Sequence, residues 1–364
     1  MSDNTQTPAR GGKDKGILLT GLITYGIGQS LLYIIFAPLG QKIGMPAWQI
    51  GTVISISNLA ILFAAPYWGR KSDTFGRRNV FVIGLIGYGL GYAGLAAGVQ
   101  LGNAGVLVAM PLFISLVAAR LVYGGLAGAM QPAAQAYIAD TTSEDDRAKG
   151  MALVASAGGL GTIVGPLFAG GLAKINLLLP MYAAAGLALV IAVWAHLRLV
   201  EPERHSKQED QAGIGRVFGT IFPYLLGWAV VFFVFTAIQT IAVFMIQNQL
   251  GITDEAEQVG TVTLAFLFMA IVTVIMQIGV MQAVKMQPRM LLRTCFILFG
   301  IVVFLMPGVQ STLQLYLIFM GMGFAVSLAM PSLTAAASLA VSPEDQGVAA
   351  GLLAAAPTFG MVLG

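Results

Sequence analysis

Acidic residues in this 364-residue chain come in small clusters, and long stretches with almost no charge run between them. The 16 Asp and Glu fall at Asp3 and Asp14, Asp73, Asp140 to Asp146, Glu201 to Asp210, Asp254 to Glu257, and Glu344 with Asp345. Most of the intervals have room for one or two apolar helices of about 20 residues, the length that crosses a bilayer. Charged residues make up 10% of the sequence and hydrophobic ones 57%, where a soluble chain carries about a quarter charged residues. Such a chain cannot cover itself with polar groups, so most of its surface faces lipid. The intervals predict an all-α membrane protein with helices over 16–39, 48–68, 79–99, 106–137, 151–173, 178–198, 217–247, 258–281, 290–308, 313–338 and 347–364.

Basic residues then set the orientation. With the N-terminus inside, 16 of the 19 Lys and Arg fall on cytoplasmic segments, among them Arg70, Lys71, Arg77, Arg78, Arg198 and Arg293. Only Lys42 and Lys174 fall outside, and Arg120 lies within a span. That bias follows the positive-inside rule and places the chain as a multi-pass protein of the cell inner (plasma) membrane, N-terminus cytoplasmic. The net charge of +3 is small, and the basic residues mark topology and no nucleic-acid surface. One cysteine, Cys295, excludes an intramolecular disulfide. No short apolar core with a small-residue cleavage site opens the chain, so no removable signal peptide is expected. The 45 glycines suit helices that pack closely in lipid.

The sequence also repeats itself. Gln49–Val53 (QIGTV) recurs as Gln258–Val262 (QVGTV) at an offset of 209, and Gln29 pairs with Gln239. Pro132, Asp146, Gly161 and Gly165 match Pro331, Asp345, Gly360 and Gly364 at an offset of 199. The order and spacing predict duplication of a six-helix unit: an N-terminal bundle over 1–196, a cytoplasmic linker over 197–215, and a C-terminal bundle over 216–364 holding helices 7–11. On that reading the sequence stops short of a twelfth helix. Internal repeats of this kind are a build plan of secondary transporters, with the substrate at the repeat interface.

Three motifs carry chemistry. The segment after helix 2 reads GRKSDTFGRRNV, with Gly69, Asp73, Gly76, Arg77 and Arg78. Helix 4 contains RLVYGG, with Arg120 and Gly124, and helix 5 contains GTIVGPLFAGG, with Gly161, Gly165 and Pro166. Together they resemble the signatures of the major facilitator superfamily, and the last two resemble its drug:proton antiporter branch. The resemblance implies two six-helix bundles in a pseudo-twofold arrangement that alternate access to a central cavity. It also implies a cytoplasmic latch in which Asp73 and Arg77 join Asp140, with Asp73 facing the start of helix 11 near Gly347. Thr74 stands where a basic residue is usual, and Ala169 where the antiporter motif ends in glycine.

Each motif also has a plainer reading. The basic loop serves topology whatever else it does. Arg120 is costly in mid-span unless paired or hydrated, so it is either a coupling or substrate residue or a structurally satisfied cation. The helix 5 glycines and Pro166 form either a leak seal beside a proline bend or a bare packing face.

Uncharged polar side chains complete the set. Tyr25, Gln29 and Tyr33 share one helix face, as do Gln131 with Gln135 and Gln239 with Gln247. They either contact an amphipathic substrate or join helices to one another. Gly89–Gly94 (GLGYAG) fits a dinucleotide fingerprint but sits inside helix 3 without a βαβ unit, and reads as a packing face. No phosphate-binding loop, nucleophile–base pair or metal-ligand cluster is present, so neither an enzyme nor a cofactor is expected; His196 and His205 lie near the linker. The functional expectation is export of an amphipathic drug-like compound or metabolite in exchange for protons, by a monomer in the lipid bilayer. No Asp or Glu lies in the core of any span, which leaves a second reading open: a carrier of small organic anions using Arg120.

Overall fold

The computed structural model describes residues 11–142, 144–202, 214–276, 288–342 and 346–363. Asp345 and Gly364 of the repeat, His205 and the linker residues 203–213 lie outside the described residues. No strand occurs among them, and the helices follow the expected order. Helix α1 spans Gly11–Leu31 and continues through a π-helical turn, Leu32–Phe36, into Ala37–Lys42. Then come α2 (Ala47–Phe75), α3 (Arg77–Asn103), α4 (Ala109–Ala127, resuming over Met130–Thr141), α5 (Glu144–Ala173) and α6 (Leu179–Arg198). The second half holds α7 (Ile214–Asn248), α8 (Glu255–Ile275), α9 (Pro288–Leu305), α10 (Thr312–Ser338) and α11 (Gln346–Leu363). Among the described residues, nine of these are long and apolar enough to cross a membrane.

Two boundaries differ from expectation in ways that matter. Helix α2 does not end at 68 but runs to Phe75, so Gly69 and Asp73 ride on its last two turns and not in a loop. Pro66 is accommodated inside it. The true break is Gly76, at φ +102°, a backbone conformation open to glycine at little cost. Helix α5 begins at Glu144, seven residues earlier than the 151 expected.

The described chain packs as two compact units. The first takes residues up to Ser30, Phe63–Gly165 and Leu178–Lys207; the second takes Leu31–Leu62, Pro166–Leu177 and the rest from Gln208. Three helices therefore pass from one unit into the other, at Ser30/Leu31 in α1, Leu62/Phe63 in α2 and Gly165/Pro166 in α5. The α1 crossing lies just before the π turn, an irregularity often found where helices do work.

In the first unit α3 is the hub. One face lies so close to α4 that a Cβ at Gly91 would come 2.5 Å from the Tyr123 side chain, and one at Gly84 2.5 Å from Met130. Gly89 meets Leu189 and the Ala185 carbonyl of α6. The glycine-rich stretch of α3 is thus a packing face, the arrangement by which small residues let helix backbones approach in lipid.

In the second unit α7, α8, α10 and α11 pack with the ends of α1, α2 and α5. The Tyr33 ring stacks on Phe266, centroids 6.2 Å apart, and Phe266 on Phe319. Lys42 Nζ reaches Glu255 Oε2 at 2.7 Å, and Asn58 Nδ2 approaches the Met361 carbonyl at 3.5 Å.

The repeat is visible inside each unit separately. A Cβ on Gly161 of α5 would strike the Ile23 carbonyl, the Gly26 Cα and the Ile27 nitrogen of α1. One on Gly360 of α11 would strike the Ala229 carbonyl, the Phe232 side chain and the Phe233 nitrogen of α7. The α5/α11 offset is 360 − 161 = 199, as the sequence repeat has it, whereas α1/α7 register at 229 − 23 = 206. Pairing Gln29 with Gln239 at 210 is therefore four residues off at this contact, about one helical turn.

Candidate functional site

The first site is built where α2, α3, α4 and the chain leaving α6 meet. Arg77 is the first residue of α3, and Gly76 turns the chain so that its guanidinium points back at the end of α2. Arg77 donates from Nε to Asp140 Oδ2 at 2.9 Å, and its Nη2 lies 2.6 Å from Asp73 Oδ1. A further guanidinium nitrogen donates to Ser72 Oγ. The two carboxylates are unequal: Asp73 is 61% exposed and Asp140 10%. Water screens the first pair and largely spares the second. Gly69 packs loosely on Pro132 of α4, and the partly buried Arg78 side chain lies beside Asn79. The structure thus brings Asp73, Arg77 and Asp140 together.

It also adds residues that the motif does not contain. The Glu201 carboxylate accepts from the backbone nitrogens of Arg77 (2.6 Å) and Arg78 (3.2 Å). Tyr137 of α4 donates to the Val200 carbonyl at 2.7 Å and lies 3.3 Å from Asp14 of α1. Glu201 counts in the sequence only as one acid of a polar linker. The signal available was its place, directly after the last apolar turn of helix 6 and before Pro202.

The second site surrounds Arg120 on α4. Its side chain is 0% exposed, and in the buried set among the described residues it is the one charged side chain. The guanidinium carbon lies 4.2 Å from the Tyr123 ring centroid and 5.9 Å from that of Tyr92. Electron-rich ring faces attract a desolvated cation, by about 2 kcal/mol or more. Tyr88 and Tyr92 donate to the α1 carbonyls of Thr24 and Gly28, while Gln29 Nε2 approaches Tyr123 Oη at 3.2 Å and Tyr25 stacks on the Tyr123 ring. Gly124 is buried one turn beyond Arg120, near the break in α4 at residues 128 and 129. The tyrosine cage could have been suspected from Tyr88 and Tyr92, four apart on one face of helix 3.

The helix 5 motif reaches the same stretch of α1. Gly161 abuts Gly26, and Gly165 sits against Ser30, whose Oγ would be 2.6 Å from an added Cβ. Ser30 in turn donates to the Thr162 carbonyl at 3.2 Å. Pro166 follows at once, buried inside the helix. Residues 23–30 of α1 are therefore gripped by α5 through bare backbone and by the Arg120 cage through hydroxyls.

The uncharged stripes divide. Tyr25 and Gln29 join the Arg120 cage in the first unit, whereas Tyr33, within the π turn, packs on Phe266 in the second. Gln131 is exposed and Gln135 half-buried on α4; Gln239 is buried and Gln247 half-buried on α7. No three His, Cys, Asp or Glu side chains gather as metal ligands among the described residues.

Comparison with known proteins fits this geometry. The Major Facilitator Superfamily profile matches residues 18–364. Multidrug resistance protein 1 of Bacillus subtilis (strain 168) is 26% identical over 355 residues, covering 96% of this chain and 87% of that one. Tetracycline resistance protein, class C, of Escherichia coli is 34% identical over 139 residues, 38% of this chain and 32% of that one. Among solved structures, a bacterial homolog of the human lysosomal transporter Spinster, inward-facing and unoccupied, superposes with a TM-score of 0.76 at 15% identity, covering 99% of this chain and 81% of that one. With an all-helical fold, the three motifs in family order and a profile match over nearly its whole length, the chain belongs to the Major Facilitator Superfamily of membrane transporters.

Proposed function

We propose that this transporter exports an amphipathic drug-like compound or metabolite in exchange for protons. The observation that carries the reading is the convergence of the two export-associated motifs on one stretch of α1. Gly161 and Gly165 press on residues 23–30 from one side, and the Arg120 cage holds Thr24, Gly28 and Gln29 from another. The resistance proteins among its relatives support the same direction of transport.

On this reading the sequence halves 1–196 and 216–364 are two bundles joined by a cytoplasmic linker, and they expose a central cavity to each side in turn. Tyr25, Gln29, Tyr33, Gln131, Gln135, Gln239 and Gln247 face the substrate, and Arg120 sets the electrostatics beside it. The protein works as a monomer in the cell inner membrane with its N-terminus cytoplasmic. Substrate and protons act on the cycle only through their different affinities for its two states. The spans supply no buried carboxylate among the described residues, so proton uptake is assigned to the acids around Arg77. Neutralising Asp140 or Asp73 there removes the ion pairs that hold one access state.

The buried cation favours one other reading, a carrier of small organic anions that bind beside Arg120. Purified protein in proteoliposomes distinguishes the two. Under an imposed pH gradient, movement of ethidium or tetracycline supports export. Movement of neither, with gradient-independent exchange of a labelled carboxylate, supports the anion carrier.

A further inference from the structure

We infer that Glu201 is a positioning residue of the transport cycle: it holds Arg77 where the guanidinium reaches Asp73 and Asp140, and ties that latch to the chain leaving α6. The inference rests on the proposed transport function and extends it to a residue outside the three motifs.

The geometry is specific. The first backbone nitrogens of a helix have no partner within it, and its N-terminus carries partial positive charge. At α3 both needs are met by one carboxylate, with Arg77 donating to Oε1 at 2.6 Å and Arg78 to Oε2 at 3.2 Å. Glu201 approaches so closely that any Cβ at position 76 would lie 2.7 Å from it. Gly76 is therefore required twice, for its φ of +102° and for the room its missing side chain leaves.

Arg77 is fixed at both ends in consequence. Its backbone is anchored by Glu201 and its guanidinium by Asp140, Asp73 and Ser72. Val200, one residue before Glu201, accepts from Tyr137 of α4. Displacement of the chain after α6 then withdraws the Glu201 carboxylate, frees the first turn of α3 and loosens Arg77 from Asp140. A signal in the chain after α6 thereby reaches the α2–α3 junction through two hydrogen bonds and one helix turn.

The test uses the full chain in lipid nanodiscs and in proteoliposomes, as wild type, Glu201→Ala, Glu201→Gln, Asp140→Asn and the Glu201→Ala/Asp140→Asn double variant. Hydrogen exchange is followed in peptides covering 76–82 and 136–142, and pH-driven transport with ethidium and tetracycline. Glu201→Ala should speed exchange in both segments and lower the maximal transport rate about five- to tenfold at unchanged half-saturation, the scale of a lost charged cap. Glu201→Gln, which keeps an acceptor, should recover much of the loss. In the Asp140→Asn background, Glu201→Ala should cost little more, because the pair through which it acts is already broken.

Unchanged exchange at 76–82 overturns the inference, and so does faster exchange confined to that segment, since a cap that does not reach Asp140 positions nothing. Additive losses in the double variant overturn it as well. If wild-type protein moves neither probe, the exporter reading fails, and exchange at 136–142 still decides whether Glu201 acts through Arg77.

Discussion

Arg77 Nε lies 2.9 Å from Asp140 Oδ2, with the two side chains 12% and 10% exposed, and this pair joins the start of α3 to the end of α4. The same guanidinium meets Asp73 at 2.6 Å, but there the acid is 61% exposed. The two acids are not equivalent partners, although the motif alone makes Asp73 the more prominent.

Asp140→Asn should therefore destabilise the protein more than Asp73→Asn. An exposed pair four residues apart contributes less than about 1 kcal/mol, whereas a partly buried charge that loses its least exposed partner costs about 1–3 kcal/mol. Thermal unfolding in detergent measures the difference. Asp73→Asn should leave stability and substrate affinity nearly unchanged yet lower turnover; unchanged turnover would remove Asp73 from the latch.

Arg120 should tolerate neither alanine nor lysine. A planar guanidinium lies flat over a ring in a way an ammonium does not reproduce, and the contact with Tyr123 is worth about 2 kcal/mol when desolvated. Arg120→Ala should abolish coupled transport and Arg120→Lys should lower it by at least tenfold, measured as initial rates in proteoliposomes. Wild-type rates in Arg120→Ala would make Arg120 a structural residue.

Along α5, two alanine substitutions should behave oppositely. Gly161→Ala places a methyl against α1 backbone, which cannot yield as a side chain tip can, and should cost about 1–3 kcal/mol. Gly159→Ala, two residues away, meets nothing within 4 Å and should be neutral or slightly stabilising. Similar melting temperatures for the two would contradict the close α1–α5 contact.

The Lys42–Glu255 pair joins the end of α1 to the first turn of α8. If these segments part during transport, a reducible bis-methanethiosulfonate bridge between Lys42→Cys and Glu255→Cys, made in a Cys295→Ala background and long enough to replace the two side chains, should arrest the cycle, and reduction should restore it. Full activity in the crosslinked protein would show that they stay together.

Much of this was legible in the sequence. Long uncharged intervals gave the helices, because a bilayer imposes a length and a polarity that composition cannot disguise. The Arg77–Asp140 pair was expected from the motif, and the Gly161/Gly360 repeat reappears as the same contact in each unit. What the sequence hid has several causes. The continuation of α2 through Gly69 and Asp73 is polar, so hydropathy ends the helix at the membrane edge while hydrogen bonding carries it on to Gly76. The Gln29/Gln239 pairing stands four residues off the α1/α7 contact register because the two glutamines look alike, whereas packing is decided by which small residue admits a backbone. Tyr33 parts from Tyr25 and Gln29 within the π turn at Leu32–Phe36, which hydrophobic periodicity does not announce. Glu201 was hidden because an N-terminal cap contributed from over a hundred residues away leaves no local pattern.

The most direct test of the central claim uses everted membrane vesicles containing the protein, with an acid interior reported by a quenched dye. Cationic, neutral and anionic amphipathic compounds are added in turn. Proton-coupled export predicts that particular compounds release the quench, that Arg120→Ala vesicles do not respond, and that Asp73→Asn vesicles respond weakly or not at all. No release by any compound, in membranes shown to hold folded protein, would contradict it and leave the anion carrier built around Arg120 as the better account.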